Sequence, residues 1–115
     1  MVEFATETAL AHNESVIVDA TFNDARTRAQ FITLAKDQGA EAVGLYFEVP
    51  FDVAYERNIA REKQVPKEIV IRMHNRLKQD PPALTEGFAT LYTVNEQCEI
   101  IAEQKAQMPQ EFKMR

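Results

Sequence analysis

Between Arg57 and Lys78 the chain places seven basic side chains, Arg57, Arg61, Lys63, Lys67, Arg72, Arg76 and Lys78, against two acids, Glu62 and Glu68. The stretch carries +5, which leaves −10 for the remainder of a chain whose net charge is −5. Such asymmetry within one small protein suggests a surface set aside for an anion. Arg57 and Arg61 stand four apart in a segment that reads as helix, so their guanidinium groups are expected on one face, about one turn apart. Two guanidiniums so placed suit bidentate capture of phosphate oxygens. Charge alone fits a solvated helix face as well, and the rest of the chain has to decide.

A second group precedes the first. Asp19 ends the apolar run Val16-Ile17-Val18, and Thr21 follows two residues later. Ligands of open parallel sheets bind beyond the carboxyl ends of the strands, and a buried strand ending in Asp can bring a carboxylate near magnesium and phosphates. The same pattern suits an aspartate that caps the next turn. Arg26 and Arg28 fall in the first turn of the following helix, where a cation opposes the helix dipole. That placement suits an external anion, although surface solubility is the simpler reading of Arg26.

Other reactive residue types read as structural. His74 has no second His or Cys near it and reads as helix packing rather than as a ligand or base. Cys98 reads as a small core residue on the apolar face of a last helix; with Glu96 and Glu99 beside it, nothing lowers a thiol pKa there. Tyr46 and Phe47 read as strand core, Glu86 as a turn residue before Gly87, and Lys63 as a solvated lysine.

The elements that must position these groups follow from periodicity and punctuation. Residues 2–12 read as helix and 15–19 as a β-branched strand buried on both faces. Asn23 or Asp24 caps a helix with Ala25, Ala29 and Ile32 on one face, ended near Gly39. Residues 42–49 read as a strand closed by Pro50, and 51–62 as a helix. Pro66 opens another helix, with an apolar stripe of Ile69, Val70, Met73 and Leu77 that Pro81-Pro82 stops. Residues 88–94 read as the third strand, and Asn95 as the cap of a last helix through Cys98, Ile101 and Ala102. The order α-β-α-β-α-α-β-α implies an α/β fold, a parallel sheet of about three strands flanked by helices. It reads as an incomplete doubly wound domain, because the usual first strand has no counterpart.

Composition bounds the class. One domain of 115 residues with 45% hydrophobic and 27% charged residues is ordinary for a water-soluble fold. No apolar run approaches ~18 residues, so no membrane span is expected. The single cysteine excludes an internal disulfide and, with no signal-peptide pattern at the start, points to a cytoplasmic setting.

Several short blocks in order resemble polynucleotide kinases and related P-loop kinases. Val16-Ile17-Val18-Asp19-Ala20-Thr21, followed by Asp24-Ala25 and Arg28, is similar to the second conserved block of that family. Val49-Pro50, then Arg57-Asn58-Ile59-Ala60-Arg61 and Val65-Pro66, is similar to its lid block, and Ile71-Arg72-Met73 continues the match. Pro82 and Glu86-Gly87-Phe88 resemble the segment that leads into the last strand in the polynucleotide kinase/phosphatase branch. The resemblance spans roughly residues 15–94.

It implies a P-loop NTPase-like fold and phosphoryl transfer from ATP, with Mg2+, to a hydroxyl: the 5′ end of a nucleic acid or a small-molecule hydroxyl. Arg57 and Arg61 become lid arginines over the triphosphate, Arg61 being the stronger catalytic contact, with the lid at about residues 56–66. Asp19 becomes a catalytic residue that organises magnesium indirectly, supported by Thr21, and Arg28 joins the phosphate-binding set. Phe22 stands where the family has Asn, which removes a polar contact. No Gly-Lys-Ser/Thr loop occurs, because Gly39, Gly44 and Gly87 are followed by Ala40, Leu45 and Phe88. The early block that carries the family's general base also has no counterpart.

The expectation is therefore a partial kinase domain over residues 1–107 with a polar tail over 108–115, inactive by itself for want of the loop. An exposed sheet edge is expected to favour self-association. A non-catalytic module that holds phosphate or nucleic acid, and part of a small-molecule kinase, are the alternatives.

Overall fold

The computed structural model describes residues 2–106. The polar tail expected at 108–115 lies outside the described residues. Four helices, α1 (Val2–Ala11), α2 (Ala25–Asp37), α3 (Phe51–Ile59) and α4 (Lys67–Gln79), accompany three strands, β1 (Val43–Phe47), β2 (Thr90–Val94) and β3 (Ile100–Lys105). A single 3₁₀ turn at Leu84–Glu86 leads into β2. The sheet order is β1-β2-β3. β1 and β2 run parallel, with Leu45 opposite Tyr92, while β2 and β3 run antiparallel. The α/β class with a three-stranded sheet flanked by helices is as expected, but the sheet is mixed rather than all parallel.

Local signals explain most boundaries. Asp24 caps α2: its Oδ1 accepts hydrogen bonds from the Thr27 N–H at 2.8 Å and the Thr27 hydroxyl at 2.7 Å. Pro50 and Pro66 stand immediately before α3 and α4, where an absent N–H costs nothing. Gly87 has φ 120°, and a Cβ on it would lie 2.8 Å from Ile32 Cγ2, so only glycine fits the turn into β2. Gly44 lets β1 approach β2, since a Cβ there would come within 2.7 Å of Leu91 Cδ1.

Ile32 and Ala35 of α2 and Leu91 and Val94 of β2 are the buried apolar side chains among the described residues. The remaining apolar surface is poorly covered. Val43, Leu45 and Phe47 of β1 are each about half exposed or more. Phe47 is thus not the strand-core residue expected: it is 52% exposed and borders an open cleft shared with His74, Leu77 and Lys78 of α4. No helix among the described residues is long and apolar enough to cross a membrane.

Two element assignments change. Residues 15–19 form no strand, and Ile17 is 94% exposed. β-propensity records how well a side chain packs on a sheet, and here no neighbouring strand accepts the run. The last helix expected from Asn95 is instead a tight turn and β3. The Asn95 side chain accepts from the N–H groups of Gln97 and Glu99, the Asn95 N–H donates to the Glu99 carbonyl at 2.9 Å, and Cys98 adopts φ 62°. Cys98 is exposed on that turn, not buried on a helix. Asn95 does act as a cap, but of a turn, because pairing with β2 satisfies more backbone groups than a short isolated helix could.

Candidate functional site

The parallel pair β1 and β2 opens its carboxyl ends into a cleft of about 400 Å³. Tyr46, Glu48, His74, Lys78, Asn95 and Glu96 supply its polar lining. The Glu48 N–H donates to the Val94 carbonyl at 2.9 Å, which locks the two strand exits together. This is where an open parallel sheet places ligands. Burial, with the Glu48 charge second, pushes the Tyr46 phenol above its ordinary pKa, so it stays a neutral donor and acceptor.

Aromatic contacts and one buried amide set the wall of helices. Phe51 stacks on Tyr55 with ring centroids 5.8 Å apart, and His74 meets Phe51 edge-on at 5.5 Å, which fixes α3 against α4. His74 therefore packs, as expected, and also lines the cleft. Asn58 is 7% exposed: its Nδ2 donates to the Val65 carbonyl at 2.8 Å and its Oδ1 accepts from the Val65 N–H at 2.9 Å. That pair of bonds closes the connection from α3 to α4, the expected lid, into a fixed loop.

The arginines of the basic stretch separate. α3 ends at Ile59, so Arg57 is on the helix and Arg61 follows it in a bend. The expectation of two guanidiniums on one helical face is thus corrected: the Asn58 bonds to Val65 draw the chain out of helix before Arg61. The Arg57 guanidinium donates to the Glu96 carbonyl and so reaches the cleft wall. Arg76 pairs with Asp24 at 3.0 Å and Lys67 lies over the Tyr55 ring at 5.3 Å. Among the described residues Arg61, Lys63, Arg72 and Lys78 have no side-chain partner, and Arg61 and Lys63 are both exposed.

The group around Asp19 and Arg28 also divides. Arg28 is 4% exposed. Its Nε donates to Glu86 Oε1 at 2.8 Å, Nη1 to the Phe22 carbonyl at 2.9 Å, and Nη2 to the Asp80 carbonyl at 2.9 Å. The anion that its position near the α2 N-terminus called for comes from the chain itself, so Arg28 presents no open fork to an external phosphate. Glu86 is more than a turn residue: besides holding Arg28 it accepts from the Ala83 N–H at 2.6 Å. Phe22 meets Phe31 edge-on at 5.3 Å, which accounts for an aromatic at that position.

Asp19 and Thr21 are both exposed. Asp19 borders a different cleft, of about 370 Å³, formed by residues 16–19 against Val2, Ala5 and Thr6 of α1. Among the described residues no three His, Cys, Asp or Glu side chains gather as a metal site. With one solitary carboxylate and no glycine-rich loop, the donor set does not fit a magnesium–nucleotide site.

Sequence reasoning did not single out Tyr46, Glu48, Asn95 and Glu96 as one site, since they are brought together only by parallel pairing and the turn into β3. Lys78 belonged to the basic stretch and was legible there.

The model of one protein family, described as an AAA domain, matches residues 1–82. No curated protein matches the chain. The block at Glu86-Gly87-Phe88 lies beyond the matched residues.

Proposed function

Because this chain belongs to the AAA domain family, a P-loop NTPase-like group of nucleotide-binding domains, we propose that it is the lid-bearing part of an ATP-dependent phosphotransferase of the polynucleotide kinase type. The acceptor in this reading is the 5′-hydroxyl end of a nucleic acid. One observation carries it: the loop after α3, stapled through Asn58, holds Arg61 and Lys63 as exposed cations without side-chain partners among the described residues, while Arg57 reaches the cleft at the strand ends. Phosphoryl transfer depends on positioning and on neutralising charge on the transferred group, and one guanidinium with one ammonium on a fixed loop suit that work.

In this reading residues 1–107 are part of one domain with its lid at about residues 56–66, working in the cytoplasm, where an exposed thiol such as Cys98 stays reduced. Arg61 contacts the transferred phosphate and Arg57 holds the lid to the cleft. Asp19 and Thr21, the pair that the family resemblance assigns near magnesium, do not make a magnesium–nucleotide site in this chain alone. Arg28 supports the phosphate-binding region by position rather than by contact. ATP and magnesium bind weakly to this chain alone, which by itself turns over little or no substrate.

A second reading is a non-catalytic module that holds phosphate-bearing partners, favoured by the internal commitment of Arg28. The two differ in what they recognise. Oligonucleotide binding is measured with 5′-hydroxyl and 5′-phosphate ends, in a salt series, together with label transfer from ATP. The kinase reading predicts no transfer by this chain, a preference for the 5′-hydroxyl end, and at least about tenfold loss with Arg57→Ala and Arg61→Ala combined, as expected for two phosphate contacts. Equal binding of both ends leaves the module. Binding indifferent to both substitutions and to salt overturns each.

A further inference from the structure

Arg28, Arg57 and Arg61 are held in three different ways. Arg28 is buried and paired with the Glu86 carboxylate at 2.8 Å, so its charge is spent inside the chain. Arg61 is exposed in its bend and has no side-chain partner among the described residues. Arg57 stands between the two: it is exposed, and its Nη2 donates to the backbone carbonyl of Glu96. A carbonyl is a neutral acceptor, so it occupies the guanidinium without cancelling its charge. An oxyanion forms roughly twice as strong a hydrogen bond with the same donor. The Glu96 carbonyl thus holds the place of an anion and can give way to one.

Both ends of this contact are anchored. Arg57 precedes Asn58, whose two bonds to Val65 fix the end of α3. Glu96 belongs to a turn closed by its own hydrogen bonds. Asn95 Oδ1 accepts from the Gln97 N–H at 3.0 Å and the Glu99 N–H at 2.9 Å. The Cys98 N–H donates to the Asn95 carbonyl at 3.0 Å, and the Asn95 N–H to the Glu99 carbonyl at 2.9 Å. Cys98 holds φ 62° there, a conformation that residues other than glycine adopt rarely. Pro50 at the head of α3 and Asn95 and Glu96 of the turn line the same cleft beyond the strand ends. We propose that the Arg57–Glu96 contact is a latch: in the free chain it holds Arg57 on the turn, and a phosphate-bearing ligand in the cleft must displace the Glu96 carbonyl to engage Arg57. The latch rests on the reading of Arg57 and Arg61 as phosphate contacts, and adds the competitor that sets the availability of one of them. The turn thereby tunes affinity, because a carbonyl held more firmly in place is harder to displace.

Nuclear magnetic resonance of the full chain, with inorganic tripolyphosphate as the probe, tests this. In the free chain the Arg57 Nη protons are expected to exchange with water more slowly than those of exposed Arg72. Added tripolyphosphate is expected to shift the Gln97 and Glu99 amide resonances together with the side-chain signals of Arg57 and Arg61. Cys98→Val loosens the turn, because a branched side chain is strained at φ 62°, whereas Cys98→Gly suits it. Cys98→Val is therefore expected to bind tripolyphosphate about twofold to tenfold more tightly than Cys98→Gly, the range that one competing hydrogen bond spans. Unchanged far-UV circular dichroism confirms that both variants fold, and the amide readout in the parent decides the case should Cys98→Val lose its fold. Arg57 protons that exchange as fast as those of Arg72 overturn the latch, as do turn amides that stay still while Arg61 responds. Equal affinity of the two variants overturns the latch and leaves the phosphate reading standing. Protected Arg57 protons with no tripolyphosphate bound by the parent or either variant overturn the phosphate reading, and the latch with it.

Discussion

Arg28 Nε lies 2.8 Å from Glu86 Oε1, a contact between residues 58 apart in sequence that joins the first turn of α2 to the turn before β2. Arg28 also holds the Asp80 carbonyl after α4 and the Phe22 carbonyl before α2. One buried guanidinium thus ties three stretches of backbone around the edge of the core.

Replacing Arg28 by Ala leaves Glu86 and two carbonyls without their donor. Breaking a buried ion pair by removing one partner costs about 3 kcal/mol or more. Urea unfolding is expected to show a loss of that order. Arg28→Lys is expected to recover little, because a single ammonium cannot reproduce the fork that spans these acceptors. A loss below about 0.5 kcal/mol, the scale of ordinary surface substitutions, contradicts a tying role for Arg28.

Asp24 gives a prediction in pH. Hydrogen bonds from the Thr27 hydroxyl and N–H, with Arg76 and Arg28 nearby, hold its carboxyl below the ordinary value of 3.8. A depressed folded pKa means that the ionised group contributes stability above the unfolded pKa. That contribution is lost as the pH falls through the lower folded value. Asn at this position keeps a capping oxygen but does not titrate. Asp24→Asn is therefore expected to be less stable than the parent at neutral pH and to converge on it in acid, as the pH falls from the unfolded pKa through the lower folded one. A constant difference in melting temperature across the series contradicts the assignment.

Asn58 tests the fixed loop. Asn58→Ala removes both bonds to Val65 and leaves its backbone N–H and carbonyl without partners, a cost of about 1–3 kcal/mol. The expected readout is local: faster amide exchange over residues 60–66 than in the parent, with β2 amides changed far less. Uniform acceleration throughout the chain contradicts a loop-specific staple.

What the sequence by itself determined is the part of the structure written in local signals. Asp24 as a cap, Pro50 and Pro66 before α3 and α4, Pro81-Pro82 after α4 and the apolar run of β1 all act through backbone geometry within a few residues, so they are legible without a fold. The basic stretch from Arg57 to Lys78 is likewise a fact of the sequence. Tertiary structure decided everything that needs a distant partner. Residues 15–19 and 95–102 carry apolar patterns that suit more than one element, and only the presence or absence of a neighbouring strand settled them. Arg28 and Arg61 look alike as candidates for phosphate. One is filled by Glu86 and Asp80 from far along the chain, and the other is left open in a loop. A guanidinium's availability depends on which acceptors folding brings to it, and that information lies in no short stretch of sequence.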